Sequence, residues 1–121
     1  GIDLTAPRGT DVFAAAPGKV VIAGNHRDGY GNKVVIDHGN GYKTLYAHLN
    51  KINVKYGQEV KLASKIGEVG NTGGSVSPHL HYEVHQNNRA VNPLNFYYGN
   101  ISAVEYVAIS KLANQENQSL D

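Results

Sequence analysis

At 121 residues and 13.0 kDa, the chain has the length of a single domain with one hydrophobic core. Eleven Lys and Arg against ten Asp and Glu leave a formal charge of +1, which excludes the concentrated positive field that nucleic acid or anionic lipid rewards. The absence of cysteine excludes a disulfide framework, a thiolate metal site and a cysteine nucleophile. No apolar run reaches the roughly 18 residues of a membrane helix, so a soluble chain is expected, with any export signal lying outside it. Six His beside 14 Gly and 17% charged residues suit a turn-rich domain that holds a metal through nitrogen and oxygen donors.

In chain order, Pro17-Gly18 marks a turn, and the apolar run Val20, Val21, Ile22, Ala23 after it reads as a strand. Asp28-Gly29 and Gly31-Asn32 bracket a loop ahead of the β-branched run Val34, Val35, Ile36. Asn40-Gly41 separates residues 34–37 from residues 42–49. An Asn-Gly pair tolerates positive φ at both central positions of a type I′ turn, so the two segments are predicted to form a hairpin. Further short strands are expected near Val54, over 59–62 and over 65–69, spaced as in an all-β sandwich or barrel. Residues 70–78 form a small-residue loop. Strict alternation then puts Leu80, Tyr82 and Val84 on one face of a strand and His79, His81, Glu83 and His85 on the other.

Beyond residue 100 the pattern changes. Ser102 and Glu105 match a capping box, Ile101 and Tyr106 a hydrophobic staple, and Val104, Val107, Ala108 and Leu112 share one helical face. One short helix is predicted from about 102 to 115. The reading is a mainly antiparallel all-β domain over residues 1–99 followed by a helical tail over 100–121.

Two His separated by one residue on a strand project the same way, so both can reach one metal ion, or one binds metal while the other faces the substrate. His79-Leu80-His81 has that spacing, although a merely polar strand face explains the tripeptide equally well. Its setting is rarer. Tyr46-Ala47-His48-Leu49 lies on the second arm of the hairpin, and the chain opens Gly1-Ile2-Asp3-Leu4-Thr5-Ala6-Pro7.

With these pieces in this order, the chain resembles the catalytic domain of the lysostaphin and LytM type of zinc metallopeptidases, which cut peptide bonds in bacterial peptidoglycan. The matching pieces are Gly1-Ile2-Asp3 with Ala6-Pro7-Arg8-Gly9-Thr10, the segment from Gly29-Tyr30-Gly31-Asn32 to Gly41, Tyr46-Ala47-His48-Leu49, residues 67–73, and Ser77-Pro78-His79-Leu80-His81-Tyr82-Glu83. They run from residue 1 to about Pro93. The resemblance implies a twisted antiparallel β sheet or sandwich of the duplicated hybrid motif type, with a groove over the sheet. Members carry an H-x-x-x-D motif, an H-x-H motif and a single His in a Y-x-H-L setting. It therefore implies Asp3 and His81 as zinc ligands, and His48 and His79 as the two other His at the reaction centre. Counting back four positions from Asp3 puts the motif's His two residues ahead of Gly1, so the first zinc ligand is expected upstream. Val76, Ser77 and Ala63-Ser64 depart from the usual Thr and Gly, in loops rather than in the chemistry.

Zinc lowers the pKa of a bound water from about 15.7 to near 7 and polarises a carbonyl. The resemblance gives His48 and His79 the roles of proton carrier and oxyanion donor, with the two left unassigned between them. Glu83, of the same parity as His81, is either a hydrogen-bond partner of that imidazole or a solvated carboxylate. Asn25 reads as a groove residue, Tyr30 as either a packing residue or a contact to the substrate backbone, and Tyr46 as a packing residue, while His26, His38 and His85 read as surface or loop residues outside the site. The expected function is an extracytoplasmic zinc endopeptidase acting on the peptide stem or cross-bridge of peptidoglycan. The alternative is an inactive relative that binds and activates other cell-wall hydrolases. A phosphocarrier of sugar transport, which also pairs two His, is disfavoured by Asp3 and the H-L-H pair.

Overall fold

A computed structural model of the chain describes residues 2–71, 78–91, 97–98, 101–102 and 118–120. These residues form strands β1 (Ile2–Thr5), β2 (Asp11–Phe13), β3 (Gly18–Asn25), β4 (Asn32–Gly39), β5 (Tyr42–Ala47), β6 (Leu49–Ile52), β7 (Glu59–Val60), β8 (Lys65–Val69), β9 (His79–Gln86), β10 (Arg89–Val91), β11 (Tyr97–Tyr98), β12 (Ile101–Ser102) and β13 (Gln118–Leu120), with no helix among them. The main sheet runs β13-β1-β9-β5-β4-β3-β7, with β10 on the free length of β9; β2-β8-β6 form a second sheet and β11-β12 a separate pair. Neighbouring strands are antiparallel throughout, as the all-β reading required. The predicted hairpin joins β4 to β5, and Asn40 (φ 54°) and Gly41 (φ 83°) take the two positive-φ positions of its turn.

The core lies between the two larger sheets. Leu4, Val20, Val34, Ile36, Tyr46, Leu80, Tyr82 and Val84 face it from the main sheet, and Val12, Leu49, Ile66 and Val69 from the smaller one. The opposite face of the main sheet carries a smaller apolar cluster of Val35, Leu45 and Ala47, flanked by Val21, Ile22 and Tyr30.

Three sequence expectations change. The segment 42–49 is not one strand: it breaks at His48, where the chain leaves the main sheet at β5 and enters the second sheet as β6. Val54 is in a loop, not a strand, yet it is buried at 6% exposure because its side chain joins the main core cluster. The strand expected over 59–62 shortens to Glu59–Val60. Residues 103–115 of the helix predicted over 102–115 lie outside the described residues, while Ser102 pairs with Tyr97.

His38, read as a surface or loop residue, is half-buried on β4 within a polar chain. Its Nδ1 donates to the Pro17 carbonyl at 2.7 Å and its Nε2 meets the Thr44 hydroxyl at 2.7 Å. The Thr44 hydroxyl lies 2.7 Å from the Tyr46 hydroxyl, which accepts from Ala15 N–H at 3.0 Å. Burial keeps His38 below its usual pKa and pushes Tyr46 up to about 12, so the chain operates neutral. The neighbouring ring of Tyr82, 5.4 Å from that of Tyr46, is buried with a hydroxyl that has no partner among the described residues. Removing an unsatisfied group relieves its desolvation cost, whereas removing a bonded one strands its partners. Tyr82→Phe is therefore expected to leave stability unchanged or raise it by about 1 kcal/mol, and Tyr46→Phe to lower it by about 1–2 kcal/mol, both read from urea unfolding midpoints.

Candidate metal and catalytic centre

The site is built on the outward face of β9. Leu80, Tyr82 and Val84 are fully buried on its core side, so the period of two turns His79, His81, Glu83 and His85 to the other face. β1 pairs beside β9 with Asp3 directly opposite His81, and β5 on the other side sets Ala47 opposite His81. Asp3 Oδ1 lies 2.8 Å from His81 Nδ1 and 3.6 Å from His79 Nε2.

His48 reaches the same patch from the break between β5 and β6. Its backbone sits in the left-handed region (φ 60°), which L-residues adopt at a cost, and its N–H donates to the Tyr30 carbonyl at 2.8 Å. The His48 ring lies 5.0 Å from the His79 ring and 6.1 Å from the His81 ring, centroid to centroid. Asp3, His48, His79 and His81, all four of the residues singled out from the sequence, are thus gathered at one place.

Glu83 is a hydrogen-bonding partner and not a solvated carboxylate. Its Oε2 accepts from His81 Nε2 at 2.6 Å and from the Tyr30 hydroxyl at 2.8 Å, and its Oε1 from His85 Nε2 at 2.7 Å. His85, which the sequence reading left outside the site, therefore belongs to the hydrogen-bonded row. The signal was present in the parity it shares with Glu83 two residues earlier. Tyr30, read from the sequence as a packing or substrate-contact residue, instead bonds Glu83: that contact depends on a loop that folds back over the sheet, and no periodicity reveals it.

With its Nε2–H committed to Glu83, neutral His81 turns the Nδ1 lone pair towards Asp3 Oδ1, and two acceptors at 2.8 Å call for a cation or a proton between them. An imidazole nitrogen with a carboxylate oxygen suits zinc. They form a pair only: among the described residues no group of three or more His, Asp or Glu could hold a metal ion.

The same bonds set a pH dependence. The His81 bond holds the Glu83 carboxyl down to about 2, and Glu83, with Asp3 contributing after it, holds His81 above its ordinary value against the opposing effect of burial. The depressed Glu83 adds stability above its ordinary value of 4.5 that is lost as pH falls towards about 2. The raised His81 adds stability below its ordinary value of 6.5 that is lost as pH rises through its higher folded value. In chelator, the protein is expected to gain most from this pair between those limits, and Glu83→Gln to flatten the profile. Urea midpoints across the pH range check this; an unchanged profile in the variant would show that the pair adds nothing.

Beside the centre, on the same sheet face, a cavity of about 290 Å³ is lined by Tyr30, Lys33, Val35, Lys43, Leu45 and His85, among others. Its lining mixes apolar side chains with a few polar ones, the usual make-up of a ligand groove.

Residues 1–93 match peptidase family M23, and the chain belongs to that family. It is 49% identical over 94 residues to the peptidoglycan DD-endopeptidase ShyA of Vibrio cholerae, a match covering 78% of this chain and 22% of ShyA. It is 43% identical over 96 residues to the murein hydrolase activator NlpD of Escherichia coli, covering 79% of this chain and 25% of NlpD. The crystal structure of a zinc-containing peptidase from Vibrio cholerae matches with a TM-score of 0.70 at 46% identity, over 74% of this chain and 27% of that one. The chain thus spans about a quarter of the length of these proteins. The family resemblance read from the H-x-H and Y-x-H-L motifs holds, as does the antiparallel β fold it implied.

Proposed function

We propose that the chain is the catalytic part of an extracytoplasmic zinc endopeptidase that hydrolyses peptide cross-links of bacterial peptidoglycan. The observation that carries this reading is the gathering of Asp3, His48, His79 and His81 on one patch beside a groove, in a member of peptidase family M23. Similarity to a peptidoglycan endopeptidase and to a zinc-containing peptidase supports the substrate and the metal. Peptidoglycan lies outside the cytoplasm, which is the basis for the location.

On this reading Asp3 and His81 would hold the metal, with Glu83 keeping the His81 proton on Nε2 so that Nδ1 is left to face it. Zinc, when bound, polarises the scissile carbonyl and acidifies a water molecule. His48 and His79 handle the protons: one imidazole takes the proton of the attacking water and passes it to the leaving amine nitrogen, and the other donates to the developing oxyanion. The peptide lies along the groove, with Val35 and Leu45 beneath it.

The test is digestion of purified sacculi by the full-length protein loaded with zinc, read as new amine and carboxyl ends in the released muropeptides. Cross-link cleavage that a chelator stops and zinc restores is expected. Similarity to NlpD favours one alternative, an inactive activator of a separate cell-wall hydrolase. Intact cross-links, together with a faster partner hydrolase, would establish it instead.

A further inference from the structure

The loop between β3 and β4 delivers Tyr30 to the centre. Gly29 (φ 90°) and Gly31 (φ 66°) on either side take backbone angles that favour glycine, and so turn the loop back over the sheet. The loop is held from below. Asp28 accepts the Tyr30 N–H on Oδ1 at 3.2 Å and Lys33 Nζ on Oδ2 at 2.5 Å, and that ammonium lies 5.2 Å from the centre of the Tyr30 ring.

From this position Tyr30 makes three contacts with the centre. Its carbonyl accepts the His48 N–H at 2.8 Å, which helps hold the left-handed backbone of that residue. Its ring stacks on His81 at 5.8 Å with 26° between the planes. Its hydroxyl donates to Glu83 Oε2 at 2.8 Å, the same oxygen that accepts from His81 Nε2 at 2.6 Å.

We infer that Tyr30 is a positioning residue that aligns both sides of the centre: its backbone fixes His48, and its ring and hydroxyl fix the plane of His81 and the carboxylate that sets the His81 tautomer. Without the hydroxyl, Glu83 Oε2 loses one of its two donors and gains rotational freedom. Without the ring, the face of His81 opens. Small displacements of a reacting or ligating group are costly because catalysis depends on held geometry. The consequence for turnover rests on the peptidase reading above; the effect on His81 does not.

The test has two independent readouts. In metal-free protein, above the titration range of imidazole, nitrogen NMR of labelled histidine is expected to show His81 as the Nε2–H tautomer with a protected proton. Tyr30→Phe keeps the ring and the backbone bond, and is expected to speed exchange of that proton about tenfold; Tyr30→Ala is expected to mix the two tautomers. On peptidoglycan substrate, Tyr30→Phe is expected to lower kcat about tenfold with KM unchanged, within the range for groups that orient a ligand. Should the alanine variant fail to fold, the phenylalanine variant, which keeps the ring, decides the matter. Unchanged His81 signals and unchanged kcat in Tyr30→Phe would overturn the inference, as would a rise in KM alone, which would mark Tyr30 as a substrate contact. A wild-type protein that cuts nothing, with His81 signals that still move in Tyr30→Phe, would remove the peptidase reading and leave the positioning role in place.

Discussion

Replacing His79 with alanine is expected to lower cross-link cleavage by about 10²- to 10⁴-fold and to leave bound zinc unchanged, whereas His81→Ala is expected to lose both. The two side chains leave the same face of β9 two residues apart, yet their surroundings differ. His81 lies 2.8 Å from Asp3 Oδ1 and is braced by Glu83; His79 lies 3.6 Å from the same oxygen and faces the His48 ring. Removing a ligand weakens the site itself, while removing a proton-handling group leaves the donors in place. His48 is better tested as His48→Asn, because asparagine takes the positive φ of this position at less cost than alanine. Metal analysis of the purified full-length variants beside their activity decides the matter: zinc lost from His79→Ala as completely as from His81→Ala would reverse the assignment.

One residue further along the same strand, Leu80→Ala is expected to lower stability by about 2–5 kcal/mol. Leu80 is fully buried, stands opposite Leu4 in the β1–β9 register, and belongs to the core cluster with Tyr82 and Val84. Truncation removes its apolar contacts and leaves a cavity that two packed sheets close only in part. His79→Ala, on the opposite face, leaves that core untouched and is expected to cost far less. Urea unfolding of the two variants side by side measures the contrast; equal, small losses would show that the inner face of β9 does not support the core.

That contrast was readable before any coordinates, because alternation along 79–85 assigns each side chain to a face from covalent geometry alone. The hairpin was readable for a related reason, since Asn40-Gly41 supplies the two positive φ angles its turn requires. Where the sequence reading fell short, the missing information was not local. Residues 42–49 look like one strand; the break at His48 exists because the chain changes sheets there, and a His bears the positive φ. His38 is drawn inward by the Pro17 carbonyl and the Thr44 hydroxyl, and Val54 joins the core from a loop. No pattern in neighbouring residues announces either.

The sequence by itself determined the residue types, the face each takes on β9, the antiparallel β class and, through motif order, the family. Only the tertiary structure decided which distant residues meet. Asp3 and His81 are 78 positions apart and Tyr30 and Glu83 are 53 apart. Their contacts arise from the β1–β9 register and from a loop folded over the sheet. Side-chain periodicity is a property of one strand, but register and loop placement are set by the packing of the whole core, so the candidate ligands could be named from the chain while their positioning by Tyr30 and Glu83 could not.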